Sequence, residues 1–143
     1  MPYCESCKKP FFDLFNQCIL VVVVNEYNEI VLLKQVNVSK TSWVLVAGYL
    51  KKGDTAEATV VREIKEETGL DAEKMIYISS YYHEKKGLLM LGFLAFVKKQ
   101  EFKRSIEVDD IEWFNCEEAK RLLRAGSIGE THFRNACERI NLG

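Results

Sequence analysis

The sequence predicts an α/β fold, and three observations lead there. Strand-like apolar runs recur up to Val97, one amphipathic helix interrupts them between two glycines, and two helical stretches close the chain. With 143 residues and 48% hydrophobic content, there is enough apolar material for one compact core. Residues 1–12 read as an N-terminal segment and 13–143 as the single domain.

In chain order, Gln17 to Val24 is a nearly continuous β-branched run and Glu29 to Gln35 a second apolar one. The turn-like Asn25-Glu26-Tyr27-Asn28 between them makes the pair a hairpin. Trp43 to Val46 reads as a short third strand leading into Ala47-Gly48. Two longer strands, Met75 to Tyr82 and Leu88 to Val97, flank the polar turn His83-Glu84-Lys85-Lys86-Gly87. Ile111 to Phe114 reads as a last strand, followed by helices over Cys116 to Arg124 and Ile128 to Ile140.

Twenty basic against 21 acidic residues leave a net charge of −1, so no global field draws the chain to a nucleic acid polymer or an anionic membrane. The apolar run Cys18 to Val24 is too short to span a bilayer, and Met1 to Lys9 lacks the pattern of an export signal. A soluble, cytoplasmic protein is expected. Its five cysteines then read as reduced thiols. Only Cys4 and Cys7 have zinc-ligand spacing; two ligands are half a site at best, so zinc is not expected there short of two such halves pairing across a homodimer.

Residues 55–68 form the most informative segment. Asp54 or Thr55 can cap a helix start, with Asp54 the expected cap, and Gly69 supplies the stop. Val60, Val61, Ile64 and Thr68 share one side by helical spacing and are expected to bury against the sheet. Glu63, Glu66 and Glu67 share another face through i, i+3 and i+4 relations, at a cost of about a few tenths of a kcal/mol per like-charged pair. Two readings fit this pattern: a cradle for a divalent cation, or a solvated acidic face with Lys65 and Lys74 nearby.

The stretch Gly48 to Leu70 resembles the signature of the Nudix hydrolase family. That signature is Gly, five residues, Glu, seven residues, then Arg-Glu-aliphatic-x-Glu-Glu-x-Gly-aliphatic. Gly48, Arg62, Glu63, Ile64, Glu66, Glu67, Gly69 and Leu70 match it; Asp54 stands where the family has Glu. The resemblance extends over Gln17 to Asn141 and is nearest the NADH pyrophosphatase branch, through Val46 to Tyr49, Leu89 to Phe93 and Glu107 to Phe114. That branch carries two Cys-x-x-Cys pairs in a zinc ribbon, where this chain has only Cys4 and Cys7. In place of its Pro- and aromatic-rich NAD-recognition stretch stands Tyr81-Tyr82-His83-Glu84-Lys85-Lys86.

The resemblance implies a mixed β-sheet sandwiched between α-helices. It also implies Mg²⁺- or Mn²⁺-dependent hydrolysis of the pyrophosphate bond in a nucleoside diphosphate linked to another group, such as NADH or ADP-ribose. Glu66 and Glu67 are the implied primary ligands, with Glu63 and the Gly48 carbonyl beside them, and Arg62 holding Glu63 or Glu66. Candidate bases are Glu63, Glu107 and His83, in that order. Tyr49, Tyr81, Tyr82 and Phe93 offer faces for stacking a base, and Lys51, Lys52, Lys85 and Lys86 for steering a polyphosphate. The alternative is a non-catalytic module that binds a nucleotide such as ADP-ribose; isomerase chemistry on an isoprenoid diphosphate is a third reading.

Overall fold

The computed structural model describes residues 3–4, 9–10, 16–35, 42–103 and 108–142. The N-terminal strands β1 (Tyr3–Cys4) and β2 (Lys9–Pro10) pair with each other in a separate two-stranded sheet. The main sheet contains β3 (Asn16–Val24), β4 (Ile30–Gln35), β5 (Val46–Tyr49), β6 (Lys74–His83), β7 (Leu88–Phe96) and β8 (Val108–Phe114). Its order is β6-β7-β3-β4-β8, with β5 also paired to β3. Helix α1 (Ala56–Thr68) follows β5, and α2 (Cys116–Leu122) and α3 (Ile128–Leu142) end the chain. Among the described residues no helix is long and apolar enough to cross a membrane.

The β-branched run in β3 is buried from Cys18 to Val24 because the strand lies mid-sheet, covered on both faces. Alternation sorts its side chains. Ile19, Val21 and Val23 join Val60 and Ile64 of α1 in one core, while Leu20, Val22 and Val24 join Ala119, Phe133 and Ala136 of α2 and α3 in the other. The α/β/α layering follows from that division. β3 and β7 run parallel, and the other pairings are antiparallel, so the sheet is mixed.

β3 and β4 meet at Val24 and Ile30, after which β4 pairs with β8 and β5 takes the edge of β3 between Cys18 and Val21. The third strand therefore lies three residues beyond the expected Trp43 start, at Val46–Tyr49, and Val44 makes only an isolated bridge to Leu33. Gly48, which as a weak strand former hid this, sits inside β5 opposite Ile19.

His132 on α3 is fully buried and joins α3 to the sheet. Its Nε2 lies 2.9 Å from the Phe93 carbonyl, which can only accept, so Nε2 carries the proton. Nδ1 then accepts from the Tyr81 hydroxyl at 2.9 Å, and that oxygen accepts from Asn135 Nδ2 at 3.0 Å. The ring lies close to Gly92, where an added Cβ would come within 2.6 Å of Nδ1 and 2.9 Å of the Ser79 carbonyl. Neither neighbour can swing away, so Gly92→Ala is expected to cost on the order of 1–3 kcal/mol in urea unfolding.

Burial pushes the His132 imidazole down from its ordinary value, against the opposing pull of the Phe93 and Leu20 carbonyls. The unfolded chain therefore takes up a proton first. Stability is expected to be insensitive to this group above about pH 6.5 and to fall below it, by at most about 1.4 kcal/mol per pH unit, until the folded imidazole protonates. Comparison of urea midpoints between wild type and His132→Gln across pH 5 to 8 reads this contribution; parallel curves would refute it.

Candidate active site

Thr55, not Asp54, caps α1: its backbone is extended (φ −84°, ψ 160°) and its side chain accepts from the Ala58 N–H at 3.1 Å. The helix stops at Gly69 in the left-handed conformation (φ 78°), whose N–H donates to the Lys65 carbonyl. Its buried residues are Thr59, Val60, Ile64, Glu67 and Thr68. Val61, expected on that face, is 44% exposed. The stripe runs through Val60, Ile64 and Glu67, a step of four and then three, and Val61 is turned about 100° from it.

Freed from capping, Asp54 reaches two turns along to Arg62 and forms a charge-assisted ion pair with Nη1. This pair holds the Asp54 carboxyl below the usual range. Arg62 Nη2 donates to the Tyr49 carbonyl at 3.1 Å and lies 3.6 Å from Glu63 Oε1. Arg62 thus ties together the loop before α1, the end of β5 and a carboxylate of the helix. It touches Glu63 rather than Glu66.

The Glu63 carboxyl presses on the Gly48 backbone so closely that an added Cβ would overlap it. Burial, and secondarily the nearby Glu66 charge, push Glu63 above the ordinary carboxylate range, with Arg62 pulling the other way. Glu66 itself is exposed, whereas Glu67 is only 8% exposed. Glu63 and Glu67, four residues apart, follow one line of the helix. Among the described residues no three His, Cys, Asp or Glu side chains converge enough to hold a metal ion. α1 offers one or two hard oxygen ligands, which suits an ion that completes its shell with water and substrate phosphate. Glu107 and Cys7, and the side chain of Cys4, lie outside the described residues.

The other candidates separate. His83 ends β6, and its Nδ1 accepts from the Lys86 N–H at 3.3 Å, a bond within the turn. Phe93 is 4% exposed, packed edge-on against Tyr77 beneath α1, and has no face open to a base. Tyr81 is committed to His132 and Asn135. Tyr49 and Tyr82 are exposed, at 57% and 55%.

A cleft of about 350 Å³ opens on the α2/α3 side of the sheet, lined by Trp43, Ala47, Lys86, Met90, Arg124 and Ser127 among others. Trp43 packs edge-on against Phe114 and lies under Lys34. Ala47 faces this cleft and Gly48 faces Glu63, so cleft and carboxylates lie on opposite faces of β5, one residue apart. A broader hollow of about 660 Å³ over Phe102 and Trp113 includes none of the α1 carboxylates. Sequence reasoning missed Trp43 and Arg124. Its place as the aromatic just before a Gly-containing strand is the one local signal for Trp43, and Arg124 has none.

Because the atoms that meet an added Cβ at Gly48 are the end of a flexible side chain, Gly48→Ala is expected to keep the fold at a cost under about 1 kcal/mol. That cost is expected to vanish in a Glu63→Ala background. A double-mutant cycle by urea unfolding measures the coupling, and equal costs in both backgrounds would show that the residues do not press on each other.

Residues 15–134 match the NUDIX domain family. Among curated relatives, the NAD-capped RNA hydrolase NudC of Vibrio atlanticus is 29% identical over 138 residues, covering 96% of this chain and 51% of its own length. Nudix hydrolase 19, chloroplastic, of Arabidopsis thaliana is 30% identical over 83% of this chain and 29% of its own length. The chain thus spans about half the length, or less, of these relatives. Among solved structures, the NUDIX domain of Shewanella oneidensis NrtR, complexed with ADP ribose, superposes with a TM-score of 0.78 at 15% identity, covering 96% of this chain and 94% of that one. A C. elegans Ap4A hydrolase gives 0.72 at 17% identity over 88% and 99%. With the family match covering most of its length and the same fold in these neighbours, the chain belongs to the NUDIX domain family.

Proposed function

We propose that this protein is a divalent-metal-dependent hydrolase of the pyrophosphate bond in a nucleoside diphosphate linked to another group. The observation that carries the reading is the pair of sequestered carboxylates, Glu63 and Glu67, on one line of α1, with Glu63 against the Gly48 backbone of β5. Holding two acids out of water costs free energy that a cation recovers. A solvated acidic face would leave all three glutamates exposed, and only Glu66 is.

Glu67 and Glu63 would hold Mg²⁺ or Mn²⁺, with the Gly48 carbonyl beside them and Glu66 reaching in from solvent. Bound there, the ion would neutralise diphosphate charge and acidify a water molecule. Glu63 orients the attacking water and takes its proton; a new O–P bond forms, the bridging P–O bond breaks, and the departing phosphate oxygen carries the charge away. Arg62 fixes Glu63, and Asp54 fixes Arg62. The cleft takes the nucleotide part, with Trp43 offering an apolar face and Lys86 and Arg124 its phosphates' countercharge. Phe93, buried in the core, plays no part in that contact.

The names of the bacterial relatives put NAD-type pyrophosphates, including NAD-capped RNA, among the compounds to try, and the neighbours add ADP-ribose and Ap4A. With a net charge of −1, any discrimination should act on the diphosphate end, and a capped RNA should be cleaved no faster than NADH. Glu67→Gln is expected to lower Mg²⁺-dependent turnover by on the order of 10²-fold or more. Asp54→Asn, which loosens Arg62, is expected to cost roughly 10-fold, with Asp54→Glu restoring most of it. A hydrolysis panel with Mg²⁺ and Mn²⁺ tests all of these; unchanged turnover in Glu67→Gln would sink the assignment. The alternative, nucleotide binding without turnover, draws on the exposure of Glu66 and the lack of a third converging ligand among the described residues. Tight ADP-ribose binding with no product across the panel would favour it.

A further inference from the structure

A second and smaller cleft, about 200 Å³ and almost wholly apolar, lies between α2 and α3. Two of its lining residues are cysteines, one from each helix: Cys116, the first residue of α2, and Cys137 on α3. Both are free thiols and partly exposed, whereas Cys18, the other described free cysteine, is buried in the sheet. Their placement is firm. Asn115 and Glu118 form a reciprocal capping box around Cys116, whose Sγ also approaches the Asn28 carbonyl at 3.7 Å, and Phe133, one turn before Cys137, is buried in the core.

We propose that Cys116 and Cys137 are a reversible dithiol–disulfide pair, oxidised by exchange with a low-molecular-weight disulfide. A zinc or other multi-ligand site does not fit, since no third His, Cys, Asp or Glu converges on the two sulfurs among the described residues. The order of events follows from their surroundings. Burial, and then Cys116 beside it, push the Cys137 thiol up to about 12, against a weaker pull from Lys120, so Cys137 stays protonated in neutral solution and Cys116 meets the reagent first.

The Cys116 sulfur attacks one sulfur of the reagent RSSR, forming Cys116–S–S–R and releasing RSH with the Cys116 proton. The Cys137 sulfur then attacks the Cys116 sulfur, closing the protein disulfide and releasing a second RSH with the Cys137 proton. Two protein thiols are oxidised, and one small disulfide is reduced to two thiols. The bridge would enclose the connection between α2 and α3, whose Leu123, Arg124 and Ser127, with Gly129 at the start of α3, form one wall of the larger cleft. The proposal stands independently of the hydrolytic reading.

The test uses the full chain, reduced and then incubated with oxidised glutathione at neutral pH, alkylated and digested with trypsin without reductant. The expected product joins the peptides 105–120 and 135–139, disappears on reduction, and accompanies a rise of several degrees in the thermal midpoint. Cys18→Ser should leave it unchanged. Cys137→Ser should instead trap a glutathione adduct at Cys116, which establishes the order. Separate glutathione adducts on both cysteines of the wild type, no reaction at either, or linkage of either one to Cys4, Cys7 or Cys18 would overturn the proposal.

Discussion

A strand whose side chains are apolar on both faces can exist only where both faces are covered, and β3 is such a strand from Cys18 to Val24. Each large residue buried there contributes about 1.5–3 kcal/mol, so leaving either face open would forfeit much of the core. α1 answers this demand on one side and the α2–α3 pair on the other. The position of α1 is therefore not free. Its apolar stripe has to lie on Ile19, Val21 and Val23, and whatever else occupies that stripe is carried into the protein with it.

What else occupies it is Glu67. By helical spacing it follows Val60 and Ile64, and docking of the two aliphatic residues buries the carboxylate as a consequence. Glu63, a turn earlier, is brought against Gly48, where the missing side chain lets the carboxyl lie on the strand backbone undisplaced. The Asp54–Arg62–Tyr49 link fixes this arrangement from the other side, joining charge to backbone where β5 ends. Packing energy thus holds the acids in place, and Arg62 sets the direction of Glu63. The shorter Asp54 stem is accommodated because Thr55 has taken the capping role.

How much of this was legible in the sequence depended on whether a local pattern or a tertiary contact decided the outcome. Apart from β5 and the first three residues of β8, which starts at Val108 rather than Ile111, the strands of the main sheet and all three helices are visible in the local pattern, and α1 even in its length, because cap, stripe and glycine stop agree. β5 was misplaced because Gly48 argues against a strand locally, and only its partner Ile19 and the crowding by Glu63 explain it. Val61 was misread as buried because adjacent valines look equivalent in sequence while helical rotation separates them. Tyr81 and Phe93 illustrate the same limit. As aromatic residues on neighbouring strands they suit a base equally well, and only the tertiary structure shows that the hydroxyl of one is held by a histidine 51 residues away and that the other is buried in the core against Tyr77.

The cleft poses a question of geometry rather than of residue type. It lies on the α2/α3 face, while the carboxylates lie on the α1 face, so a single substrate can reach both only where the sheet gives out. β5 provides that place. It is short, it ends at Tyr49, and β4 has already turned away toward β8, so that among the described residues the Leu33–Val44 bridge is the strand pairing that joins β4 to the segment leading into β5. Alternation along β5 then puts Ala47 toward the cleft and Gly48 toward Glu63, a separation of one residue. An extended diphosphate is the kind of connector that fits such an arrangement, because its two ends can lie on different faces while its centre passes over the strand end. The divergence of β3 and β4 that interrupts the hairpin is what would let a substrate of the proposed hydrolase reach both the cleft and the carboxylates.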